Sequence, residues 1–250
     1  MREQLKVTGI VLSVMSIGEN DRRITILTRE RGKIQVFARG SRKPNHPLFG
    51  LTQPLVLGEF MITEGRNAAY LNSGEGKEYF PLLKSDLTMI WYGSYFAELA
   101  EYFTVEGIDE RDTLNLLYVT FRAMEKQKIP LALIRRIYEY RILQCYGIGL
   151  QVFSCIRCGR QEDFDTLSIE GGGVLCSDCK KKTGQGTFAA MKITPPVLYT
   201  LQYIQTVPLG SLYSFQLSDE VYAELSYIVK HFLRLHADHT FKSARMLEML

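Results

Sequence analysis

Residues 22–39 have the sequence RRITILTRERGKIQVFAR, and this stretch decides the fold of the N-terminal part of the chain. Its two halves alternate between apolar and polar side chains, which is typical of half-buried strands, and Arg31-Gly32 between them indicates a turn. In the first strand, Ile24 and Ile26 are expected on one side and Arg23, Thr25 and Arg29 on the other. In the second strand, the inward residues are Ile34, Val36 and Ala38, and the outward residues are Lys33, Gln35, Phe37 and Arg39.

The same alternation extends on both sides of this stretch. It predicts further strands over residues 7–14, 55–63 and 68–73. Five short strands within about 80 residues favour a small closed barrel, because closure removes exposed strand edges.

After residue 80 the apolar period becomes helical. The predicted helices run from Asp86 to about Thr104, from Asp109 or Asp112, over about 130–146, from Pro195, from Ser218 to about His236, and over 242–250. The predicted fold class is therefore α+β, with a barrel over residues 1–80 and a helical domain over residues 81–250.

Four of the five cysteines form the pattern Cys-x₂-Cys-x₁₇-Cys-x₂-Cys; they are Cys155, Cys158, Cys176 and Cys179. This spacing is typical of a zinc site, because each Cys-x-x-Cys turn directs two thiolates at one point and two turns complete a tetrahedron. The pattern predicts a Zn²⁺-binding insert at about 153–185, in which a small hairpin around Gly171-Gly172-Gly173 joins the two pairs. Cys145 is predicted to be a buried helix residue.

Other uses of the cysteines fit the sequence less well. Two disulfides would require an oxidising compartment, and a redox pair would be a single Cys-x-x-Cys in a βαβ setting. A zinc deaminase needs His-x-Glu, which the chain lacks. Four protein ligands also leave no position for a catalytic water, so the predicted zinc is structural.

Positive charge is concentrated at the N-terminal end. Residues 1–46 contain 10 Lys and Arg against 4 Asp and Glu, whereas the whole chain has a net charge of only +3. Such an excess favours an anionic partner such as nucleic acid; a solvated polar face of the sheet is the alternative. The predicted DNA-binding residues are Arg22, Arg23, Lys33, Phe37, Arg39, Arg42 and Lys43, with Phe37 available to stack a base.

One charged residue, Arg141, interrupts the apolar face of the helix predicted over 130–146. A buried arginine needs a partner, for which Glu98, Glu101 or Glu139 is predicted. The alternative is that Arg141 binds an acidic tail of a partner protein.

The sequence contains no catalytic motif that we recognise, including Gly-x-Ser-x-Gly, His-Glu-x-x-His and the P-loop. This favours a binding protein over an enzyme. No stretch approaches the roughly 20 apolar residues of a membrane span and no signal sequence is evident, so we expect a cytoplasmic protein.

Several stretches resemble the bacterial DNA repair protein RecO family of recombination mediators. They are Thr8–Leu12, Gly18–Asp21, Leu27-Thr28, Gly32-Lys33, Ala38–Lys43, Tyr138–Leu143, Tyr146-Gly147, Cys155–Gly159, Leu235-His236 and Phe241–Ser243. Their order and spacing span nearly the whole length. The resemblance implies an N-terminal OB-fold barrel, a C-terminal helical domain that holds the zinc module, and no catalysis.

The resemblance also implies a function. Such proteins bind single- and double-stranded DNA and anneal complementary strands in the cytoplasm, in association with the nucleoid. With RecR they help to load the recombinase RecA onto strands coated by single-stranded DNA-binding protein, whose acidic tail they bind. The alternative from the residues alone is an RNA-binding OB-fold protein with a structural zinc.

Overall fold

The computed structural model describes residues 4–66, 68–182 and 189–249. The chain divides into two compact units, Met1–Lys128 with Thr240–Leu250, and Ile129–His239.

Five strands of the first unit form a closed barrel among the described residues, which confirms the predicted fold. The strands are β1 (Gln4–Ile17), β2 (Asp21–Thr28), β3 (Gly32–Ala38), β4 (Leu57–Glu64) and β5 (Ala69–Glu78). They follow the order β1-β2-β3-β5-β4 around the barrel, and β1 also pairs with β4. The β3–β5 pair is parallel and the other pairs are antiparallel.

The barrel interior is filled by the inward-facing apolar residues of the alternating strands. Ile24, Ile26, Val36 and Phe60 are fully buried, and each such side chain stabilises the fold by about 1.5–3 kcal/mol. A short helix, α1 (Leu48–Leu51), lies between β3 and β4 and adds its two leucines to this core. The sequence did not predict α1.

The outer side of β2 differs from the prediction. Thr25 faces outward in register with Gln35 of β3 but is only 4% exposed. The cause is packing by the two helices that follow the barrel, α2 (Leu87–Phe103) and α3 (Arg111–Lys126), which contact β2. Ser13 of β1 satisfies the buried hydroxyl with a 3.0 Å hydrogen bond.

The first unit is completed by the helix α8 (Lys242–Leu247), which packs on α2. Glu98 of α2 accepts hydrogen bonds from the backbone N–H groups of Lys242 and Ser243, both 2.9 Å, and so caps α8. Phe241, just before α8, packs edge-to-face on Tyr95 and Tyr102 of α2.

The second unit combines helices with a small sheet. Its helices are α4 (Leu131–Cys145), α5 (Ser177–Lys182), α6 (Pro195–Thr206) and α7 (Asp219–His236). The sheet has the order β7-β6-β8, from β6 (Phe164–Ser168), β7 (Gly173–Cys176) and β8 (Met191–Lys192). Antiparallel pairing of β6 with β7 forms the predicted hairpin between the cysteine pairs.

The predicted domain boundary at residue 80 lies just after β5. Packing places α2, α3 and α8 in the same compact unit as the barrel, so the division into residues 1–80 and 81–250 stays a prediction. Over the described part of the chain, no helix combines the length and the apolar character that crossing a membrane requires.

Candidate nucleic-acid groove and metal site

Two aromatic side chains meet on the outer face of the barrel. The parallel register of β3 and β5 places Phe37 opposite Tyr70, with the ring centroids 6.0 Å apart. Because neighbours in a strand point to opposite faces, Val36 and Leu71 enter the core while Phe37 and Tyr70 face outward, half-buried.

Arg39 lies beside this pair. It is the first residue after β3, and its guanidinium carbon is 4.8 Å from the centroid of the Tyr70 ring. This distance is typical of a cation–π contact. Arg39 itself is exposed, so the contact orders the guanidinium without removing it from solvent.

These residues line a groove of about 740 Å³. The lining includes His46, from the segment between β3 and α1, and Gly65 and Arg66, from the β4–β5 connection. Thr63 and Asn72 are hydrogen-bonded to each other, with 2.5 Å between Asn72 Nδ2 and Thr63 Oγ1. None of the described residues that line the groove is acidic; they are Phe37, Arg39, His46, Leu48, Thr63, Gly65, Arg66, Ala68, Tyr70, Leu71 and Asn72.

The basic loop that follows β3 is held in a defined conformation. Gly40 has φ +67°, and a side chain there would approach the His46 ring at 3.1 Å, so glycine is required. The Gly40 N–H donates to the Asp21 carboxylate at 2.8 Å. Ser41 is buried and donates to the carbonyl of Ala38, and Lys43 is exposed. The loop therefore presents Lys43 to solvent from a fixed backbone.

Arg22 and Arg42 lie at a different point of the barrel surface. Arg22 Nη1 donates to the Phe49 carbonyl at 3.0 Å and to the Thr52 hydroxyl at 2.7 Å, which holds α1 in place. Burial, and then the nearby charge of Arg42, lower the pKa of Arg22. Arg42 is exposed and donates to the Gly18 carbonyl at 2.7 Å.

The two remaining predicted cations differ in position. Arg23 pairs with Phe37 across the β2–β3 ladder and so shares its face, where its guanidinium contacts the Met15 sulfur. Lys33 Nζ instead donates to the carbonyl of Glu101 near the end of α2 at 2.5 Å. The structure thus places Phe37 and Arg39 in the groove, Arg23 and Lys43 next to those two, and Lys33 at the helix.

Several other cations of the barrel form ion pairs with acidic residues. Lys6 and Lys77 both pair with Glu59, at 2.9 and 3.2 Å, and Arg31 pairs with Glu64 at 2.9 Å. Among the described residues, the six predicted DNA-binding cations make no ion pair with a carboxylate. Their positive charge is therefore left to attract an anion from solution.

Sequence reasoning missed three groove residues: Tyr70, His46 and Arg66. Tyr70 lies in a predicted strand, but its position opposite Phe37 follows from the parallel β3–β5 pairing, for which the sequence carries no local signal. His46 and Arg66 lie in connections whose course depends on the closed barrel.

The four predicted metal ligands come together. The sulfurs of Cys155, Cys158, Cys176 and Cys179 all lie within 4.8 Å of one another. The sulfurs of Cys158 and Cys176 are 3.7 Å apart, and a tetrahedral site with Zn–S bonds of about 2.3 Å requires sulfurs about 3.8 Å apart. The donor set and its spacing therefore fit a tetrahedral thiolate-bound metal ion.

The backbone around the first pair supports this use. The Cys155 N–H donates to the Arg160 carbonyl at 2.7 Å, and Gly159, at φ +75°, donates back to the Cys155 carbonyl at 2.9 Å. Burial opposes ionisation of Cys155, but backbone N–H groups of Cys176, Arg157 and Cys158 outweigh it and lower the pKa of this thiol to about 6. The turn thus favours a thiolate, the form that binds metal.

Two of the basic residues near the cysteines are paired with acids. Arg160 forms an ion pair with Asp178 at 2.9 Å, and Lys180 pairs with Asp165 at 3.7 Å. These contacts join the two ends of the insert. Among the described residues, exposed Arg157 and Lys181 have no carboxylate partner.

Arg141 has backbone partners instead of the predicted carboxylates. Its Nη1 donates to the carbonyls of Ile204 and Gln205, at 2.7 and 2.5 Å, in the last turn of α6. A cation is favourable there because the helix dipole is negative at its C-terminus. Glu139, one predicted partner, is fully buried and binds Arg135 and Arg136 instead.

Comparison with known proteins gives a consistent result. The protein-family model described as Recombination protein O N terminal matches residues 1–80, and the protein-family model described as Recombination protein O C terminal matches residues 84–245. Relatives named DNA repair protein RecO include that of Clostridium acetobutylicum, 28% identical over 246 residues that cover 98% of this chain and 97% of the relative. The relative from Desulforudis audaxviator is 35% identical over 181 residues, 72% of each chain. With two models covering both parts of its length, the chain belongs to the recombination protein O (RecO) family of DNA repair proteins.

Proposed function

We propose that this protein is a DNA-binding recombination mediator whose barrel binds single- and double-stranded DNA. The observation that carries the proposal is a groove lined by Phe37, Tyr70 and Arg39, with no acidic residue among its described lining residues. Arg23, Arg39 and Lys43 are the proposed phosphate contacts in or beside the groove, and Arg42 is a proposed contact next to Arg22, away from the groove. Arg22 and Lys33 add charge while bound to α1 and α2.

The proposed mechanism is electrostatic. Cations that bind phosphates release condensed counterions, and two strands held on one basic surface repel each other less. Complementary strands can then anneal without nucleotide hydrolysis. No bond chemistry is needed, so the protein is proposed to act as a mediator and not as an enzyme.

The proposed cofactor is a structural Zn²⁺ bound by Cys155, Cys158, Cys176 and Cys179. When bound, it would supply a rigid crosslink between the first cysteine turn and the β7–α5 junction. Four protein ligands complete its usual coordination, which suits a structural role.

The proposed partners follow from family membership. They are RecR, the recombinase RecA, and single-stranded DNA-binding protein through its acidic tail, with the chromosome of the cytoplasmic nucleoid as the place of action. Arg141 remains the candidate contact for the acidic tail, although its bonds to the α6 carbonyls give it a stabilising role as well.

The test of DNA binding is charge reversal with a matched control. In Arg39→Glu/Lys43→Glu, two proposed phosphate contacts are lost. Since each contact contributes about 0.7 to the slope of log affinity against log salt for a single strand, the slope should flatten by about 1.4. Fluorescence anisotropy of a labelled oligonucleotide measures it.

The control is Arg111→Glu/Lys126→Glu, which changes the net charge equally on α3, outside the groove. It should keep the wild-type slope. Equal slopes for the groove variant and the wild type would reject the site. Competition by RNA of the same sequence separates DNA binding from the RNA-binding alternative, and annealing of complementary strands tests mediation.

A further inference from the structure

The Phe37–Tyr70 pair is not part of the barrel core. The core cluster contains Val36, Ala38 and Leu71 from the same strands but neither aromatic ring. The rings are tilted by 36° and line the groove with their outward faces. A pair of aromatic rings in an open groove has the chemistry to stack planar ligands.

Two arginines of the barrel lie over an aromatic ring among the described residues. Arg22 lies 5.1 Å from the centroid of the Phe49 ring but also donates hydrogen bonds to the Phe49 carbonyl and the Thr52 hydroxyl, whereas Arg39 has no such bond. In the described part of the chain, its guanidinium has the Tyr70 ring as its contact, at 4.8 Å, and no carboxylate. Arginine differs from lysine in having a planar, delocalised head group that stacks on its face while its N–H edge donates hydrogen bonds. One guanidinium can therefore contact a ring, a base and a phosphate together.

We propose that Arg39 and Tyr70 form one composite stacking surface for an unpaired nucleobase, beside Phe37, and that this surface makes the groove prefer single-stranded DNA. The inference rests on the proposed DNA binding and adds base recognition to it. The base stacks on the guanidinium that Tyr70 holds, and the N–H edge of Arg39 remains directed at the phosphate.

Selectivity follows from which nucleic acids can supply a base. In a duplex the faces of each base are covered by its neighbours, so only an unpaired base can turn outward and stack on a protein surface. Duplex DNA would therefore bind through phosphate contacts alone. Loss of one stacked base should weaken single-strand binding by about 5- to 150-fold.

The experiment compares three ligands of equal length: oligothymidylate, an abasic strand and a duplex. The abasic strand keeps the phosphates and removes the bases. Arg39→Lys keeps the positive charge but removes the planar guanidinium on which a base can stack. Tyr70→Ala removes the aromatic ring that holds this guanidinium in place. Each should weaken oligothymidylate binding by about 5- to 150-fold and affect the abasic strand and the duplex much less, since these two ligands offer only phosphates. Tyr70→Phe should bind as the wild type does.

Two further variants test whether Arg39 and Tyr70 act together and whether loss of charge alone has a different effect. Arg39→Lys/Tyr70→Ala should bind oligothymidylate about as well as either single variant, because both act on one surface. Lys43→Gln removes a charge outside the groove lining and should weaken binding of all three ligands alike. Unchanged melting temperatures establish that the variants fold.

The outcomes separate the inference from the proposed function. If Tyr70→Ala or Arg39→Lys weakens the abasic strand as much as oligothymidylate, or affects none of the ligands, the stacking surface is refuted while DNA binding stands. If the wild type binds none of the three ligands, the proposed function itself fails.

Discussion

Replacement of Cys158 by serine tests how far the second unit depends on metal. The variant removes one of four sulfurs, and a hydroxyl is a poor ligand for an ion held by thiolates. We expect loss of stoichiometric zinc and local unfolding of residues 153–163. Cys145→Ser is the matched control, since Cys145 lies on α4 outside the cluster.

The structure gives the size of this effect. Around the metal site the buried residues are Cys155, Leu175 and Cys176, with Ile156 and Phe164 partly buried. Leu175 contributes roughly 1.5–3 kcal/mol, and the two partly buried residues contribute less. Ordering residues 153–163 costs about 1–2 kcal/mol per residue, or roughly 10–20 kcal/mol. The apolar contacts are too few, whereas structural zinc sites supply about 10–16 kcal/mol.

We expect the unfolding to be confined to the region around the cysteines and not to spread through the whole second unit. Leu167 and Val174 of the β6–β7 hairpin are fully buried and belong to no part of the cysteine cluster, so their end of the hairpin should stay ordered. The assays are zinc content per chain and hydrogen exchange measured by mass spectrometry. Full zinc content in Cys158→Ser, or wild-type protection at 153–163 after chelation, would refute the reasoning.

Three other predictions concern stability. Glu139→Ala leaves two largely buried arginines without their carboxylate and should lower the free energy of unfolding in urea by about 3–5 kcal/mol. The control Glu64→Ala breaks an exposed ion pair and should lower it by at most about 1 kcal/mol. Similar losses for the two variants would contradict a buried ion-pair role for Glu139. Glu98→Ala removes the cap of α8 and should cost about 1 kcal/mol, with faster amide exchange in that helix; unchanged exchange would count against the cap. Gly32→Ala combines φ +63° with a Cβ only 2.3 Å from the Val105 carbonyl oxygen, so it should destabilise by more than about 2 kcal/mol, and an unaltered melting temperature would disprove this.

Local patterns in the sequence were sufficient for most elements. The period of two at Ile24, Ile26 and Val36 predicted buried strand positions, and the cysteine spacing predicted the cluster, because each depends on residues close in sequence. Asp86 was predicted as a helix cap, and its carboxylate accepts from the Met89 N–H at 3.0 Å.

Features that depend on long-range packing were not predictable in this way. Thr25 is polar and alternates correctly, yet helices from later in the chain cover it. The four residues of α1 are too few for a helical period to show. Arg141 was correctly expected to need a partner, but the partner is the end of a helix more than sixty residues later, which no local pattern specifies.

The return of α8 to α2 has a consequence for biosynthesis. A ribosome must translate the whole of Ile129–His239 after it has made the barrel, before Phe241 becomes available to cover Tyr95 and Tyr102. A nascent chain paused in that interval would display these aromatic side chains, together with the carboxylate of Glu98 that later caps α8, to the chaperones that surround the exit tunnel.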